Sequence, residues 1–307
     1  MNRGHYSSRH CSHDGQTTAQ IESSIEGCKR FSGRQVVIMT TSHHLTECEN
    51  RNAPFSGHFD PDELYRTVQN FQNQGYSVRL DGVEPLLDPW HLKSFKLAGQ
   101  KTAMTDGQVL TENSHYIFSI REAGIDTINI LYHFDLQKDL SGVSPCLVKA
   151  ALRIVDLAGL KSSIVTTITR PYLGEIPKYC EWCVKQGITE IHFMNYLPQG
   201  KANDNWVLTP DDRKRYYDII SEQRRKYSAG SLRISSSCSF GACESSNITC
   251  RAAYESVVLT PEYKVYPCSC PFMMKPGREC GIYKDGYIFT KKDIMFPRHD
   301  CVALVES

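Results

Sequence analysis

Cysteine is the residue type in this chain whose number and placement most suggest chemistry. Seven of the 13 cysteines fall in the last 70 residues: Cys238, Cys243, Cys250, Cys268, Cys270, Cys280 and Cys301. Thiolates are soft ligands, and such crowding in a reducing compartment points to metal or iron–sulfur ligation rather than disulfides. Four-thiolate zinc and buried free thiols are the competing readings. A second candidate lies near residue 45, where His43 and Glu47 stand four apart and His44 and Glu47 three apart. A helical loop presents either pair on one face, as a two-ligand metal motif whose third ligand the sequence does not name. His5, His10, Cys11 and His13 also carry ligand atoms, but they sit in a polar stretch that reads as a disordered, His-rich start. Cys180 and Cys183 form a Cys-x2-Cys on a predicted helix, where packing against a sheet is the preferred reading.

Elements of a definite kind must position these residues. With 307 residues, 40% hydrophobic and 22% charged, the chain has the composition of a globular protein of one large domain or two. Residues 1–33 form a polar arm without apolar period. From residue 35 the pattern alternates. Strands are predicted at Gln35–Met39, Ser77–Leu80, Gln100–Met104, Thr127–Leu131, Ser163–Thr169 and Glu190–Met194. Helices are predicted at Pro61–Gln74, Pro89–Ala98, Asn113–Ala123, Cys146–Ala158 and Leu173–Gln186, the last closed by Gly187. Strand alternating with helix implies an α/β fold of parallel units, closed or partly closed into a barrel over residues 34–230. The helix Thr209–Tyr227 ends this region, and residues 231–307 read as a small Cys-rich α+β domain with strands at Ser256–Thr260 and Lys264–Tyr266.

Charge narrows the partners. Lys and Arg total 35 against 34 Asp and Glu, a net charge of +1, which argues against a general grip on nucleic acid or an anionic membrane. No apolar run approaches the roughly 18 residues that would span a bilayer, and the first residues lack the apolar stretch of a secretory signal. A cytoplasmic protein is the expectation.

Four segments together resemble the radical S-adenosylmethionine (SAM) superfamily. Leu80-Asp81-Gly82-Val83-Glu84-Pro85-Leu86-Leu87 is similar to its Gly-Gly-Glu-Pro motif, and Thr105-Asp106-Gly107 to its Thr-Asn-Gly. Ile164–Arg170 leading into Glu175-Ile176 resembles the fourth-to-fifth unit, and Phe193–Ala202 the sixth strand with its loop. The resemblance implies a partial (β/α)6 barrel with SAM at Gly82, Val83, Glu84, Pro85, Thr105, Asp106, Thr169 and Arg170. Loops at the C-terminal strand ends are where such barrels bind ligands. Downstream, Cys250-Arg-Ala-Ala and Val257 to Cys268 resemble the opening of the SPASM or twitch extension, with the two cysteines 18 apart. That implies an auxiliary iron–sulfur cluster, of the 4Fe-4S type or replaced by zinc, on Cys250, Cys268, Cys280 and Cys301, with Cys238, Cys243 and Cys270 as rivals. Ala253 and Tyr263 stand where the family has glycine.

One departure decides the chemistry. The family's Cys-x3-Cys-x2-Cys follows the first strand, but here His43, Glu47 and Asn50 occupy the three positions, with Cys48 one residue off register. A neutral amide is a poor partner for a soft iron–sulfur site. The expectation is therefore a SAM-binding enzyme without the SAM-cleaving cluster, acting by polar group transfer on a peptide or small natural product. His43, His44, Glu47 and His133 are then its acid–base candidates. The alternatives are a non-catalytic pseudoenzyme binding a peptide, small molecule or partner enzyme, a re-tooled metal site, and a radical enzyme with an unusual cluster site.

Overall fold

The computed structural model describes residues 28–43, 55–198, 203–237, 252–269, 274 and 277–291. After a short strand β1 (Cys28–Arg30), strand β2 (Gln35–Met39) buries Val36 and Ile38 completely. Helix α1 (Pro61–Asn73) starts where Asp60 accepts hydrogen bonds from the Asp62 and Glu63 amides, with Pro61 in its first turn. Its apolar face, Leu64, Val68 and Phe71, packs into the core beneath β3 (Ser77–Asp81). A 3-10 turn, Pro89–His91, leads into α2 (Leu92–Ala98), then β4 (Thr102–Thr105).

The helix expected near Asn113–Ala123 is α4 (Tyr116–Glu122), and a separate short helix, α3 (Gln108–Glu112), precedes it and ends where Asn113 leaves helical geometry with φ −140°. Strand β5 (Thr127–Leu131) follows, then α5 (Gln137–Ser141) and α6 (Pro145–Leu157), the latter capped by Ser144. Strand β6 (Lys161–Ile168) precedes α7 (Ile176–Lys185), and β7 (Glu190–Asn195) precedes α8 (Pro210–Lys226). A reciprocal capping box between Thr209 and Asp212 opens α8. The next strand, β8 (Arg233–Ser236), pairs parallel with β7, so strands β4 to β8 form one five-stranded parallel sheet in chain order. The architecture is α/β, as the alternation of strand and helix implies.

Strands β2 and β3 are also parallel, but they belong to a different hydrogen-bonded sheet. The seam between β3 and β4 is joined by side chains. The Leu80 amide donates to Gln100 Oε1 at 2.7 Å, and Gln100 Nε2 donates to the Leu80 and Thr102 carbonyls at 2.9 and 2.7 Å. Gln100, expected as the first residue of the strand, thus reproduces with its amide the donor and acceptor that a neighbouring strand would offer.

On the other side of β2 lies β9 (Ser256–Leu259), parallel to it, continued by the antiparallel strands β10 (Lys264–Tyr266), β11 (Gly281–Lys284) and β12 (Tyr287–Lys291), with β1 outermost. The hairpin β9–β10 forms although Ala253 and Tyr263 are not glycine: both adopt left-handed backbone, at φ +63° and +60°. Asp285 and Gly286, at φ +49° and +85°, make the two-residue turn of the β11–β12 hairpin. The Gly286 carbonyl accepts from Asn70 Nδ2 at 2.6 Å and Gln74 Nε2 at 2.9 Å, which ties this hairpin to the end of α1. Among the described residues no helix is long and apolar enough to cross a membrane.

Two outcomes are expected in urea unfolding. Gln100→Leu strands the Leu80 amide and carbonyl and lowers stability by about 1–3 kcal/mol. Gly286→Ala lowers it by at least about 1 kcal/mol, because a Cβ at that φ would also lie 2.9 Å from Asn70 Nδ2.

Candidate functional site

The ends of β2, β3 and β4 meet at the Glu84 carboxylate. Val83 N–H donates to the Thr41 carbonyl at 3.0 Å, and Thr40 N–H to the Asp81 carbonyl at 2.7 Å, so the turn after β3 is pinned to the end of β2. Gly82 makes that approach possible. Its φ is +154°, and a Cβ there would lie 3.0 Å from Thr40 Oγ1 and 3.1 Å from the Thr41 carbonyl. Glu84 is 1% exposed, and its Oε2 accepts from Thr105 Oγ1 at 2.9 Å and from Asp106 N–H at 3.0 Å. The Thr105 hydroxyl oxygen in turn accepts from the Gly107 amide at 3.0 Å. Two motifs about twenty residues apart therefore build one buried, charge-assisted cradle. Val83 is half-buried beside it, and Pro85 is buried, adding no amide that would need a partner.

Further buried polar groups line the C-terminal strand ends. Thr166 and Thr169 of the β6 region are fully buried, and among the described residues their hydroxyls have no hydrogen-bond partner. Asn195 ends β7 in similar burial. Buried hydroxyls without partners are uncommon and mark a position where a ligand or water completes the bonding. Arg170 lies apart from this set, its Nε on Asp212 Oδ2 at 3.1 Å at the start of α8. His133, after β5, is buried, and its Nδ1 accepts from the Thr167 amide at 3.1 Å. That bond places the ring proton of the neutral form on Nε2. His43 has its amide on Thr41 Oγ1, whereas His44 and Glu47 lie outside the described residues.

Of the expected cluster ligands, Cys250 and Cys301 lie outside the described residues, as do Cys238, Cys243 and Cys270. Cys268 is half-buried after β10. Cys280 is a core residue, 2% exposed, and burial pushes its thiol up to about 12. A bound metal deprotonates a coordinating thiol outright, so this burial is compatible with packing or with ligation. Cys180 and Cys183 are likewise fully buried in the main core, where burial raises both thiols. They pack α7 on the sheet.

Sequence reasoning missed a polar cluster in the same loops. His58, Asp88 and His91 converge, with His58 Nε2 3.1 Å from Asp88 Oδ2 and His91 Nε2 3.0 Å from the Phe59 carbonyl. The His91–Asp88 spacing of three in Asp88-Pro-Trp-His91 was the available signal. A cleft of about 650 Å³ opens elsewhere, lined by Tyr132, Phe134, Tyr179, Trp182 and charged side chains, and includes none of the Glu84 cradle. The cradle carries the better chemical case, since the cleft is lined by exposed charges on α6 and α7 and by stacked rings.

The cradle suits the amino end of SAM: a buried carboxylate and a close backbone edge at Gly82. The donor set at His43, Glu47 and Asn50 does not suit a SAM-cleaving iron–sulfur cluster, which is held by thiolates.

No protein-family model matches the chain, and no curated protein matches it in sequence. Solved structures do match in fold. SuiB of Streptococcus suis bound to SAM aligns with TM-score 0.62 and 17% identity over 78% of this chain and 60% of that one. SuiB bound to its precursor peptide SuiA gives TM-score 0.62 and 17% identity over 81% and 62%. Native anSMEcpe with bound AdoMet and the Cp18Cys peptide gives TM-score 0.58 and 14% identity over 77% and 74%. The chain spans about three fifths of the length of SuiB. Its fold is that of these radical SAM enzymes, a partial barrel built on a parallel sheet.

Proposed function

We propose that the chain binds SAM at the Glu84 cradle and uses it in polar, non-radical group transfer to a peptide or small natural product. The observation that carries this reading is the retained cradle, Glu84 held by Thr105 and Asp106, beside a first loop whose cysteines are replaced by His43, Glu47 and Asn50. When bound, SAM supplies a sulfonium whose methyl and aminocarboxypropyl carbons are open to attack by a nucleophile held in line.

The chain's own residues supply binding and proton placement. The Glu84 carboxylate is held by neutral donors, the Thr105 hydroxyl and the Asp106 amide, and its charge suits it to pair with an ammonium group. Gly82 and Val83 offer a backbone edge beside it. His133, with Nδ1 taken by the Thr167 amide, holds its proton at Nε2. In that form it acts as a hydrogen-bond donor at Nε2. The peptide class of substrate rests on the fold neighbours, since SuiB and anSMEcpe are solved with peptides bound. An auxiliary cluster on Cys250, Cys268, Cys280 and Cys301 belongs to the same reading.

The test is an anaerobic preparation assayed for iron, sulfide and zinc, with SAM binding titrated on wild type and Glu84→Gln. The amide keeps an acceptor oxygen for Thr105 and Asp106, so the variant folds. SAM affinity is expected to fall by about 1–3 kcal/mol with loss of the charge-assisted bond. Equal affinity in the two proteins removes the cofactor site. About eight irons per chain return the chemistry to the radical route, whereas about four are consistent with one auxiliary cluster. SAM bound but unchanged in the presence of candidate peptides leaves a binding protein instead of an enzyme.

A further inference from the structure

We infer that His58, Asp88 and His91 form a binding site for a divalent cation of the zinc class, in the loops beside the Glu84 cradle. Asp88 and His91 frame the 3-10 turn after the cradle, and His58 is bridged to Thr41 at the end of β2. One ligand atom from each of the three residues lies within 4.8 Å of the others. Tetrahedral zinc holds nitrogen and oxygen ligands at about 2.0–2.2 Å, which sets ligand atoms roughly 3.3 Å apart. The His58–Asp88 separation of 3.1 Å already meets that spacing, and His91 Nε2 stands 4.0 Å from the same carboxylate oxygen. A shift of about 1 Å by the His91 imidazole, stacked on His58 at 4.7 Å between centroids, closes the set.

The ligand atoms are Nε2 of each ring and Oδ2 of Asp88. His58 Nε2 lies against Asp88, and the fully buried His91 has Nε2 3.0 Å from the Phe59 carbonyl. A cation here takes the place of the proton between His58 and Asp88 and draws His91 Nε2 from the Phe59 carbonyl, and each neutral ring then carries its proton on Nδ1. Among the described residues both Nδ1 atoms are without a hydrogen-bond partner, so no described neighbour fixes either tautomer from that side. Among the described residues no lysine or arginine pairs with Asp88, although its side chain is only 18% exposed. A divalent cation supplies that missing charge and uses both Nε2 lone pairs.

The test takes the full-length protein, stripped with chelator and kept reduced, with 15N-labelled histidine. Zn2+ titration followed by long-range 1H–15N spectra is expected to move the ring nitrogens of His58 and His91 together, and thiolate-bound zinc leaves them unmoved. Co2+ in their place is expected to give a visible spectrum component without sulfur charge transfer. His58→Gln and Asp88→Asn, the second preserving the oxygen that caps the Trp90 amide, are each expected to weaken this component at least roughly 10- to 100-fold. Ring nitrogens that respond to acid but not to Zn2+ overturn the site, as does equal cation affinity in wild type and both variants. Either result means the two lone pairs serve a buried water or a proton. The readout needs no SAM, so failure of the cofactor reading leaves it intact.

Discussion

The structure depends on how the seam between β3 and β4 is closed. Parallel strands normally meet through backbone ladders, yet these two belong to separate hydrogen-bonded sheets. Side chains do the joining instead. Gln100 satisfies the amide and carbonyl of Leu80 midway along the seam, and Glu84 takes the Thr105 hydroxyl and the Asp106 amide at its C-terminal end. A buried carboxylate is stable only when hydrogen-bond donors face it, so the proposed SAM-binding group and the structural fastener are one group. The place where the strands part is also where a ligand can reach backbone that a continuous ladder would consume.

The opposite edge is managed differently. Strand β2 would be exposed on one side, and the chain covers it with β9, after which the meander runs outward to β1. Tyr263 and Gly286 anchor the meander to α1. The Tyr263 hydroxyl bonds Glu63, its ring stacks on Tyr283, and the Gly286 carbonyl takes Asn70 and Gln74. The left-handed backbone at Ala253 and Tyr263 costs roughly 1–2 kcal/mol per residue by local sterics. Tyr263 offsets that through its contacts, whereas Ala253 is held by amide bonds to the Ser256 and Pro267 carbonyls. A turn conformation that glycine usually supplies is thus imposed by the surrounding sheet.

Much of this was legible in the sequence, and the failures have physical reasons. Strands β2, β5 and β10 fall where apolar period and β-branched residues put them. The first residue of β4 was misjudged because Gln100 has strand-like neighbours, and only its side-chain pairing to Leu80 reveals its role. Glu84 and Thr105-Asp106 were readable since each sits in a recognisable string after a strand. Asp285-Gly286, a plain two-residue hairpin signal, went unread. The meeting of His58 with the Asp88–His91 turn was invisible for another reason. They lie 30 residues apart on loops, and no periodicity encodes which loops meet at a barrel mouth.

The two proposed sites share a stretch of chain, since Glu84 to His91 is one continuous loop after β3, tied at its start by the Leu87 amide to the Glu84 carbonyl. Their donor chemistry differs from that of an iron–sulfur site. Three thiolates hold irons that pass electrons, whereas two imidazoles and a carboxylate select a borderline cation without redox chemistry. A cation there would bring positive charge close to the end of the cradle, where the Tyr116 hydroxyl already feels both Asp88 and Glu84 and is held protonated by burial. Such a field favours an incoming anion or a polarised carbonyl and does nothing for electron delivery to a sulfonium. Nitrogen and oxygen donors in place of sulfur thus point both sites toward the same polar chemistry, though each rests on its own residues.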